Sequence, residues 1–501
     1  MNFTAFLDVN ARYFSEKIAV ADPLGGRHYT YGEMLDEVNR VGKGLIELGL
    51  EKGDRVCIYL DSSLEFLISY FAIWRIGCIA VPADIGYKRD ELLYRINDSG
   101  ANTIITDGHE SKIVADADIK NVIVVGDRGS KNQKLRAENC GFDDICHLQY
   151  TAGTTGKPKA AILTHGNWMS AVEAERSVLG LRADDIYLGF YPMSHVGVSW
   201  GITTLKYGGT FLIMRRFNLD DFLMLADGWK ATVLSGMPPV IYALVHAPGG
   251  AEERIKTARV IISGGGPLSQ KIWEEFDKRY AIPIANAYGL SETIVVGAGV
   301  STVPNHMHLS KGYRSVGAPV GYSEVKIVDE EKPKIELPPY GMGEIALRGP
   351  GVAKGYWKKP KETESKFIED GWFLTGDLGY LDEDNALYIV DRKKDVINMS
   401  GWKIYPKEVE DVLLSHPKIA DAAIFGQEDE MRGEIPVAAI VLEANTKATK
   451  EEIISFCRER LAGYKVPRDV LFLDSLPRVH GWKLLRRVLR EESALVKGTG
   501  F

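Results

Sequence analysis

Apolar residues in this chain recur at two spacings. Leu35, Val38, Val41, Leu45 and Leu48 return every three to four positions, and Gly49 follows them. This places them on one face of a helix that the glycine ends. Residues 55–60 then form a short apolar run of strand length. Residues 62–76 predict a second helix, stopped by Gly77, and residues 78–81 a second strand. A helix over 91–97 and strands over 103–106 and 121–125 repeat the scheme. Strands alternating with helices imply a mostly parallel sheet with helices on its faces.

Residues 127–139 are polar and read as a connection. A second series follows, with strands expected over 186–190, 210–214, 232–234 and 259–262, and helices over 219–229 and 269–280. It predicts a second parallel sheet packed near the first. From about residue 315 the pattern becomes short alternating strands (324–328, 343–348, 387–390). Beyond the charged run 391–395 come a helix over 406–414, strands over 421–425 and 437–442, and a helix over 450–461. The expected fold is therefore α/β. A large N-terminal domain (1–391) holds two packed βα-sheets and a β-rich subdomain, and a hinge (392–395) leads to a small α+β domain (396–501). The charged run taken alone is more commonly a solvated turn, and its position between two textures is what makes it a hinge candidate.

Composition narrows the partners. A chain of 501 residues exceeds one core, and its net charge of −7 gives no global basic field for nucleic acid or anionic membrane. The N-terminus lacks a basic region followed by an apolar stretch, so no secretory signal is expected. The most apolar run, 64–76, carries Glu65 and Arg75 and is too short to cross a bilayer. Cys57, Cys78, Cys140, Cys146 and Cys457 are scattered and never spaced as C-x-x-C. They read as buried thiols of a reducing, cytoplasmic compartment.

Four segments suggest chemistry. Residues 150–165 hold two glycines, four threonines and two lysines. Inward-facing N–H groups, hydroxyls and ammonium groups suit a polyanion such as a triphosphate, although a surface loop has the same composition. The spacing is not that of the common P-loop, because Pro158 follows Lys157. In residues 286–292, Tyr288 offers a flat face for a base, Ser291 a phosphate hydrogen bond and Glu292 an oxygen ligand for Mg²⁺. The alternative there is a turn with a Ser/Glu pair at a helix start. Asp377, among glycines, suits two ribose hydroxyls or a β-turn. Arg392, fifteen residues on, suits the same nucleotide or a surface ion pair. Leu484, Leu485, Val488 and Leu489 predict a terminal amphipathic helix, with Lys483 at the turn before it.

In this order the segments resemble the adenylate-forming superfamily of acyl-CoA synthetases, peptide-synthetase adenylation domains and beetle luciferases. Its further markers are Gly343-Glu-Ile-Ala-Leu-Arg-Gly349, Gly355-Tyr-Trp, Asp391–Asp395 and the stretch from Ser400 to Glu410. The resemblance implies that a carboxylate attacks the α-phosphate of ATP, giving acyl-AMP and pyrophosphate, and that a thiol then displaces AMP. It assigns Thr151, Thr154, Thr155 and Lys159 to the β/γ-phosphates. Gly265, Ala287, Tyr288 and Gly289 go to the adenosine, Ser291 to the α-phosphate and Glu292 to Mg²⁺. Asp377 and Arg392 match the ribose pair. Lys483 matches the lysine that neutralises charge where carboxylate and α-phosphate meet. Lys394 matches a hinge whose rotation removes Lys483 and brings Ser400, Gly401 and Trp402 in for coenzyme A.

Tyr191-Pro-Met-Ser-His195-Val-Gly resembles the acyl- and aryl-CoA ligase branch, with His195 at the reacting end. No aspartate suited to an amino-acid ammonium group stands in this region. By position relative to the motifs, His195, Val196, Gly197, Trp200, Met237, Pro238 and Gly264 line the acyl pocket. Mostly small or apolar, they favour an uncharged aliphatic or aromatic tail. Two departures stand out, Ala160 in place of the family's glycine and Trp482 ahead of Lys483. The expected partners are a carboxylic acid, ATP and coenzyme A, with a homodimer left open. A carrier-protein acceptor and a catalytically weak ATP- or acyl-binding protein remain as alternatives.

Overall fold

Thr30 opens the first helix that the periodicity predicts, which follows a helix over Ala5–Tyr13. In the computed structural model, which describes residues 2–108, 119–125, 135–151, 157–479 and 483–491, its hydroxyl accepts from the Glu33 N–H at 3.2 Å. The Glu33 carboxylate accepts from the Thr30 N–H at 2.8 Å, completing a capping box. The helix Tyr31–Glu47 follows, and the chain leaves it through Gly49, whose φ of 84° suits glycine. The next helix, Leu64–Arg75, is capped by Ser63 and buried at every position except Glu65. It therefore lies inside the protein, in an apolar core that also takes Val56, Ile58 and Ala80 from one sheet and Tyr187, Val233 and Val260 from another. Its last residue, Arg75, is a buried cation satisfied by both oxygens of Asp8, at 3.0 and 2.7 Å, and by the Leu135 carbonyl.

Among the described residues the first sheet has six strands, in the order Asn121–Val124, Thr103–Thr106, Arg55–Tyr59, Ile79–Ala83, Ile145–Thr151, Lys159–Thr164. All pairings are parallel except the last. The second has nine, and its parallel centre runs Ile284–Leu290, Val260–Gly264, Val233–Ser235, Ile186–Gly189, Thr210–Ile213, Ile18–Asp22. Antiparallel strands flank that centre, Arg27–Thr30 on one side and Val295–Ser301 with Ala318–Pro319 on the other. The α/β architecture read from the periodicity is thus present. The periodicity missed the hairpin Ile145–Thr151/Lys159–Thr164 and the helix His165–Leu179. It also missed the N-terminal strands Ile18–Asp22 and Arg27–Thr30, which join the second sheet.

A third sheet contains Glu324–Val328, Gly343–Arg348, Trp372–Leu381 and Leu387–Arg392. A fourth, of Ile397–Met399, Trp402–Ile404, Ile419–Asp429, Gly433–Leu442 and Asp469–Phe472, packs with the helices Pro406–Leu414 and Lys450–Arg458 as an α+β element with its own core. The chain divides into two compact units, Met1–Val325 with Ala346–Leu374, and Lys326–Ile345 with Thr375–Phe501. At the C-terminal side Lys483–Leu484 pairs with Arg478–Val479, and residues 486–491 are helical.

One buried carboxyl in the first unit has no cation beside it. Glu175, on the helix His165–Leu179, bonds the Ser199 hydroxyl through one oxygen and the Thr203 hydroxyl, at 2.6 Å, through the other. Burial pushes it from the ordinary range up to about 8, so it is neutral at pH 7. A raised carboxyl favours folding fully below its unfolded value near 4.5, and that contribution is lost as pH rises towards 8. Glu175→Gln keeps shape and neutrality. Between pH 5 and 8 the native protein should lose about 5 °C more in Tm than this variant. Parallel melting curves for the two would overturn this reading.

Candidate active site

The carboxyl ends of parallel strands bring most of the expected residues of the first unit to one edge. Ile186–Gly189, Val233–Ser235, Val260–Gly264 and Ile284–Leu290 run in the same direction as sheet neighbours. The segments after the first two carry Tyr191–Gly197 and Met237–Pro238, and the third ends at Gly264. Ala287 lies beside Gly264 in the register, and a Cβ on Gly264 would sit 2.9 Å from the Ala287 carbonyl oxygen. Gly265 turns the chain with φ of 78°. This edge is where open parallel sheets receive ligands.

Tyr288 and Gly289 differ from expectation. They lie within the strand Ile284–Leu290, because Val295–Ser301 folds back to pair with it and puts Val300 opposite Tyr288. Gly289 is obligatory there, since a Cβ would meet the Val295 carbonyl oxygen at 1.6 Å. Ser291 and Glu292 follow in a single 3₁₀ turn, so no helix starts there. Glu292 is buried, its carbonyl accepts from the Ala353 N–H at 2.7 Å, and its carboxylate accepts from the Tyr356 hydroxyl at 2.8 Å. Burial first, and the Glu292 charge second, raise the Tyr356 phenol, so Tyr356 stays a neutral donor. Among the described residues no three His, Cys, Asp or Glu side chains gather as a metal cage. A single carboxylate oxygen donor fits Mg²⁺, which keeps waters and phosphate oxygens around it.

The Gly/Thr stretch proves to be the connection of a hairpin. Thr151 faces Lys159 across it, and Tyr150 faces Ala160. Residues 152–156, including Thr154 and Thr155, lie outside the described residues. Both ends of the connection are fastened to the helix Arg89–Ser99: the Tyr150 hydroxyl donates to Asp98 at 2.8 Å, and the Tyr94 hydroxyl to the Pro158 carbonyl at 2.9 Å. The Lys159 ammonium lies 5.4 Å from the centre of the Tyr356 ring. Ala160 is buried within the strand Lys159–Thr164 and is not among the positive-φ residues, so its lack of glycine's freedom costs nothing.

His195 follows a tight turn closed by its N–H on the Pro192 carbonyl at 3.0 Å. The 3₁₀ turn Val196–Val198 and the helix Ser199–Lys206 come next. Gly197 lies against Tyr191, where a Cβ would approach to 3.1 Å. Val196, Trp200 and Met237 are buried, and Pro238 starts the helix Pro238–Val245.

In the second unit Asp377 is on the strand Trp372–Leu381 and not in a β-turn. It faces Arg392 in the register, and Arg392 Nε lies 3.4 Å from its carboxylate. Asp377 is buried while Arg392 is half-exposed. Asp391 and Asp395 are also buried, while Arg392, Lys393 and Lys394 are exposed and residues 393–395 form a turn, so the run is a solvated turn held at both ends by buried carboxylates. Partial desolvation lowers the Lys394 ammonium, although the side chain is exposed. Arg486 bonds Glu410 at 2.6 Å and Asp395 at 3.3 Å, tying the C-terminal helical residues to this run. Ser400 and Gly401, with φ of 51° and 85°, form the two-residue connection between Ile397–Met399 and Trp402–Ile404. Trp402 is 58% exposed and stacks on Tyr464 with ring centres 4.9 Å apart. Only the backbone of Lys483 is described, and Trp482 lies outside the described residues.

Tyr356 has no role legible in the sequence, although it lies in the Gly355-Tyr-Trp marker, and neither do the anchors Tyr94 and Asp98. No local pattern signals them, because their partners lie far away in the chain.

Comparison with known proteins agrees with this geometry. Residues 7–357 match the model of the AMP-binding enzyme family, and residues 408–481 that of the AMP-binding enzyme C-terminal domain. The chain is 35% identical to a 2-succinylbenzoate–CoA ligase of Bacillus cereus over 468 residues, 92% of this chain and 93% of that one. It is 35% identical over 484 residues to the enzyme of the same name from a Geobacillus species, covering 95% of this chain and 94% of that one. Among solved structures, ATP-bound MatB of Rhodopseudomonas palustris aligns with a TM-score of 0.89 and 29% identity, over 98% of this chain and 99% of that one. The o-succinylbenzoate CoA synthetase of Bacillus subtilis with its acyl-adenylate intermediate aligns with a TM-score of 0.86 and 31% identity, over 97% of each chain. The chain belongs to the AMP-binding enzyme family, on the acyl- and aryl-CoA ligase branch of the adenylate-forming superfamily, and is an AMP-forming acid–thiol ligase.

Proposed function

We propose that the chain joins a carboxylic acid with an uncharged aliphatic or aromatic body to coenzyme A, through an acyl-adenylate. The observation that carries the substrate class is the chemistry around Val196–Trp200. Val196, Trp200, Met237 and Pro238 are apolar, and behind them Ser199 bonds the neutral carboxyl of Glu175. A second carboxylate reaching there would lose its water beside these apolar side chains, a cost of several kcal/mol unless a cation paired it.

In the adenylation step Thr151, Thr154, Thr155 and Lys159 hold the β/γ-phosphates of ATP, which leave as pyrophosphate. Tyr288 faces the adenine between Gly265, Ala287 and Gly289, and Ser291 bonds the α-phosphate. Asp377 and Arg392 hold the ribose. Glu292, oriented by Tyr356, is the ligand for Mg²⁺, which supplies positive charge to the phosphate oxygens when bound. His195 stands at the carboxylate end, and Lys483 offsets the charge of the two anions as they meet. Residues 396–501 then rotate about Lys394 against residues 1–391, withdrawing Lys483 and presenting Ser400, Gly401 and Trp402 to the thiol. A reducing compartment, the cytoplasm, suits a chain whose five cysteines are all buried.

The names of the relatives favour a second reading, in which 2-succinylbenzoate, itself a dicarboxylate, is the acid. Pyrophosphate release across a panel of acids separates the two. On the first reading kcat/KM for a neutral-tailed aromatic acid exceeds that for 2-succinylbenzoate on the order of 100-fold. The reverse ranking overturns the uncharged tail and leaves the ligase chemistry standing.

Two substitutions test the roles. Lys483→Ala should slow acyl-AMP formation by about 100-fold or more while leaving thioester formation from supplied acyl-AMP within a few-fold of native. Equal loss in both half-reactions would remove Lys483 from its role. Tyr356→Phe should raise the Mg²⁺ concentration for half-maximal rate by about 3- to 10-fold, with a smaller change in Tm. An unchanged Mg²⁺ requirement would separate Tyr356 from the metal site.

A further inference from the structure

The turn that carries His195 is fastened to a sheet to which it does not belong. Its flanking strand and helix, Ile186–Gly189 and Ser199–Lys206, are part of the nine-stranded layer. Its hydrogen bonds go to the carboxyl ends of the six-stranded sheet and to Tyr70 of the helix Leu64–Arg75, whose hydroxyl donates to the Met193 carbonyl at 3.2 Å. The Met193 N–H donates to the Ser62 hydroxyl at 3.1 Å, and the Ser194 hydroxyl to Asp84, just beyond Ile79–Ala83, at 2.9 Å. A further bond comes from Gln149, whose amide donates to the Ser194 carbonyl at 3.1 Å and also reaches the Tyr150 carbonyl at 3.3 Å.

Gln149 differs from the other anchors in where it stands. It is on the strand Ile145–Thr151, one residue before Tyr150 and two before Thr151, where the Gly/Thr connection begins. It is fully buried, and because its nitrogen faces two carbonyl oxygens, which only accept, its amide has one orientation. Its Oε1 lies 3.1 Å from Nε2 of His147, two residues back on the same strand face. Burial lowers the His147 imidazole to about 3, so the ring is neutral. A carbonyl oxygen only accepts, so the single ring proton is on Nε2, and Nδ1 finds no partner among the described residues. The ring is clamped by Trp168, stacked at 5.7 Å and 13°, and by Tyr70 at 5.5 Å. A fixed imidazole thus points the Gln149 oxygen inward and turns both N–H bonds outward, towards the His195 turn and the start of the phosphate connection.

We propose that Gln149, oriented by His147, is a positioning residue for adenylation: it sets the distance between the His195 turn, where the carboxylate lies, and the connection that holds the phosphates. The inference rests on the ligase reading above. The phosphate connection keeps its own anchors, Tyr94 and Asp98, so loss of Gln149 loosens the carboxylate side and leaves ATP binding in place.

The test measures pyrophosphate release driven by ATP and the best acid, on the full chain, for the native protein, Gln149→Leu and Gln149→Glu. For Gln149→Leu, kcat should fall about 10- to 100-fold and KM for the acid should rise, while KM for ATP stays within about 3-fold. In Gln149→Glu the introduced carboxylate, when ionised, faces two carbonyl oxygens with no proton to give. Its rate relative to native should therefore rise at least about 5-fold as pH falls from 8 to 6 and the carboxyl regains a donor. Packing alone would not produce that pH dependence. A native protein that turns over, with variants matching it in kcat, acid KM and pH profile, overturns the inference alone. A native protein that releases no pyrophosphate with any acid overturns the ligase reading and the inference with it. If Gln149→Leu does not fold, the pH profile of Gln149→Glu decides. If neither folds, Gln149 is a packing residue and the inference fails.

Discussion

The hydrogen bonds that tie the turn at Met193–Ser194 to Ser62, Tyr70, Asp84 and Gln149 are the constraint on which the proposed chemistry of the first unit depends. Two sheets that share a core can slide against each other without exposing much apolar surface, because hydrophobic contact is not directional. Directional bonds at their carboxyl edges remove that freedom. In the proposed reaction the acid is held on the nine-stranded sheet and the phosphates on a connection of the six-stranded one. Registry between the sheets is then registry between the reactants.

The same unit handles buried charge in two ways. Arg75 and Asp185 are buried ions, each paired with a partner that reaches towards solvent, Asp8 and Arg259. Glu175, by contrast, is held neutral between two hydroxyls. A neutral carboxyl beside the proposed acyl pocket contributes hydrogen bonding without a field, which suits an uncharged tail. Around Glu292 the design differs again, with a phenol hydrogen-bonded to a carboxylate whose charge is what the proposed Mg²⁺ site uses.

Much of this was legible in the sequence because it rests on local periodicity. The helices Leu219–Trp229 and Pro406–Leu414 and the strands Thr103–Thr106 and Gly343–Arg348 have the expected bounds, since burial of one face, or of both, sets them. Tyr288 was harder. Its strand runs on to Leu290 only because Val295–Ser301 returns to pair with it, a tertiary event with no local signature. Asp377 and Arg392 illustrate the same limit, being fifteen residues apart in the chain and directly opposed across two strands. The hairpin around residues 152–156 was masked by its own connection, whose glycines and threonines dominate the composition. Gln149 carried no signal at all, because its partner Ser194 is forty-five residues away.

All five cysteines are buried, and burial raises every thiol, to about 12 at Cys57 and Cys78 and about 11 at Cys457. A thiol reacts as its thiolate, so each is chemically silent near neutral pH. The native chain is therefore a clean background for site-specific labelling. Cysteines introduced on either side of residues 392–395 would take maleimide dyes without first stripping the protein of its own, and a distance change during turnover could be read optically on an otherwise unaltered core.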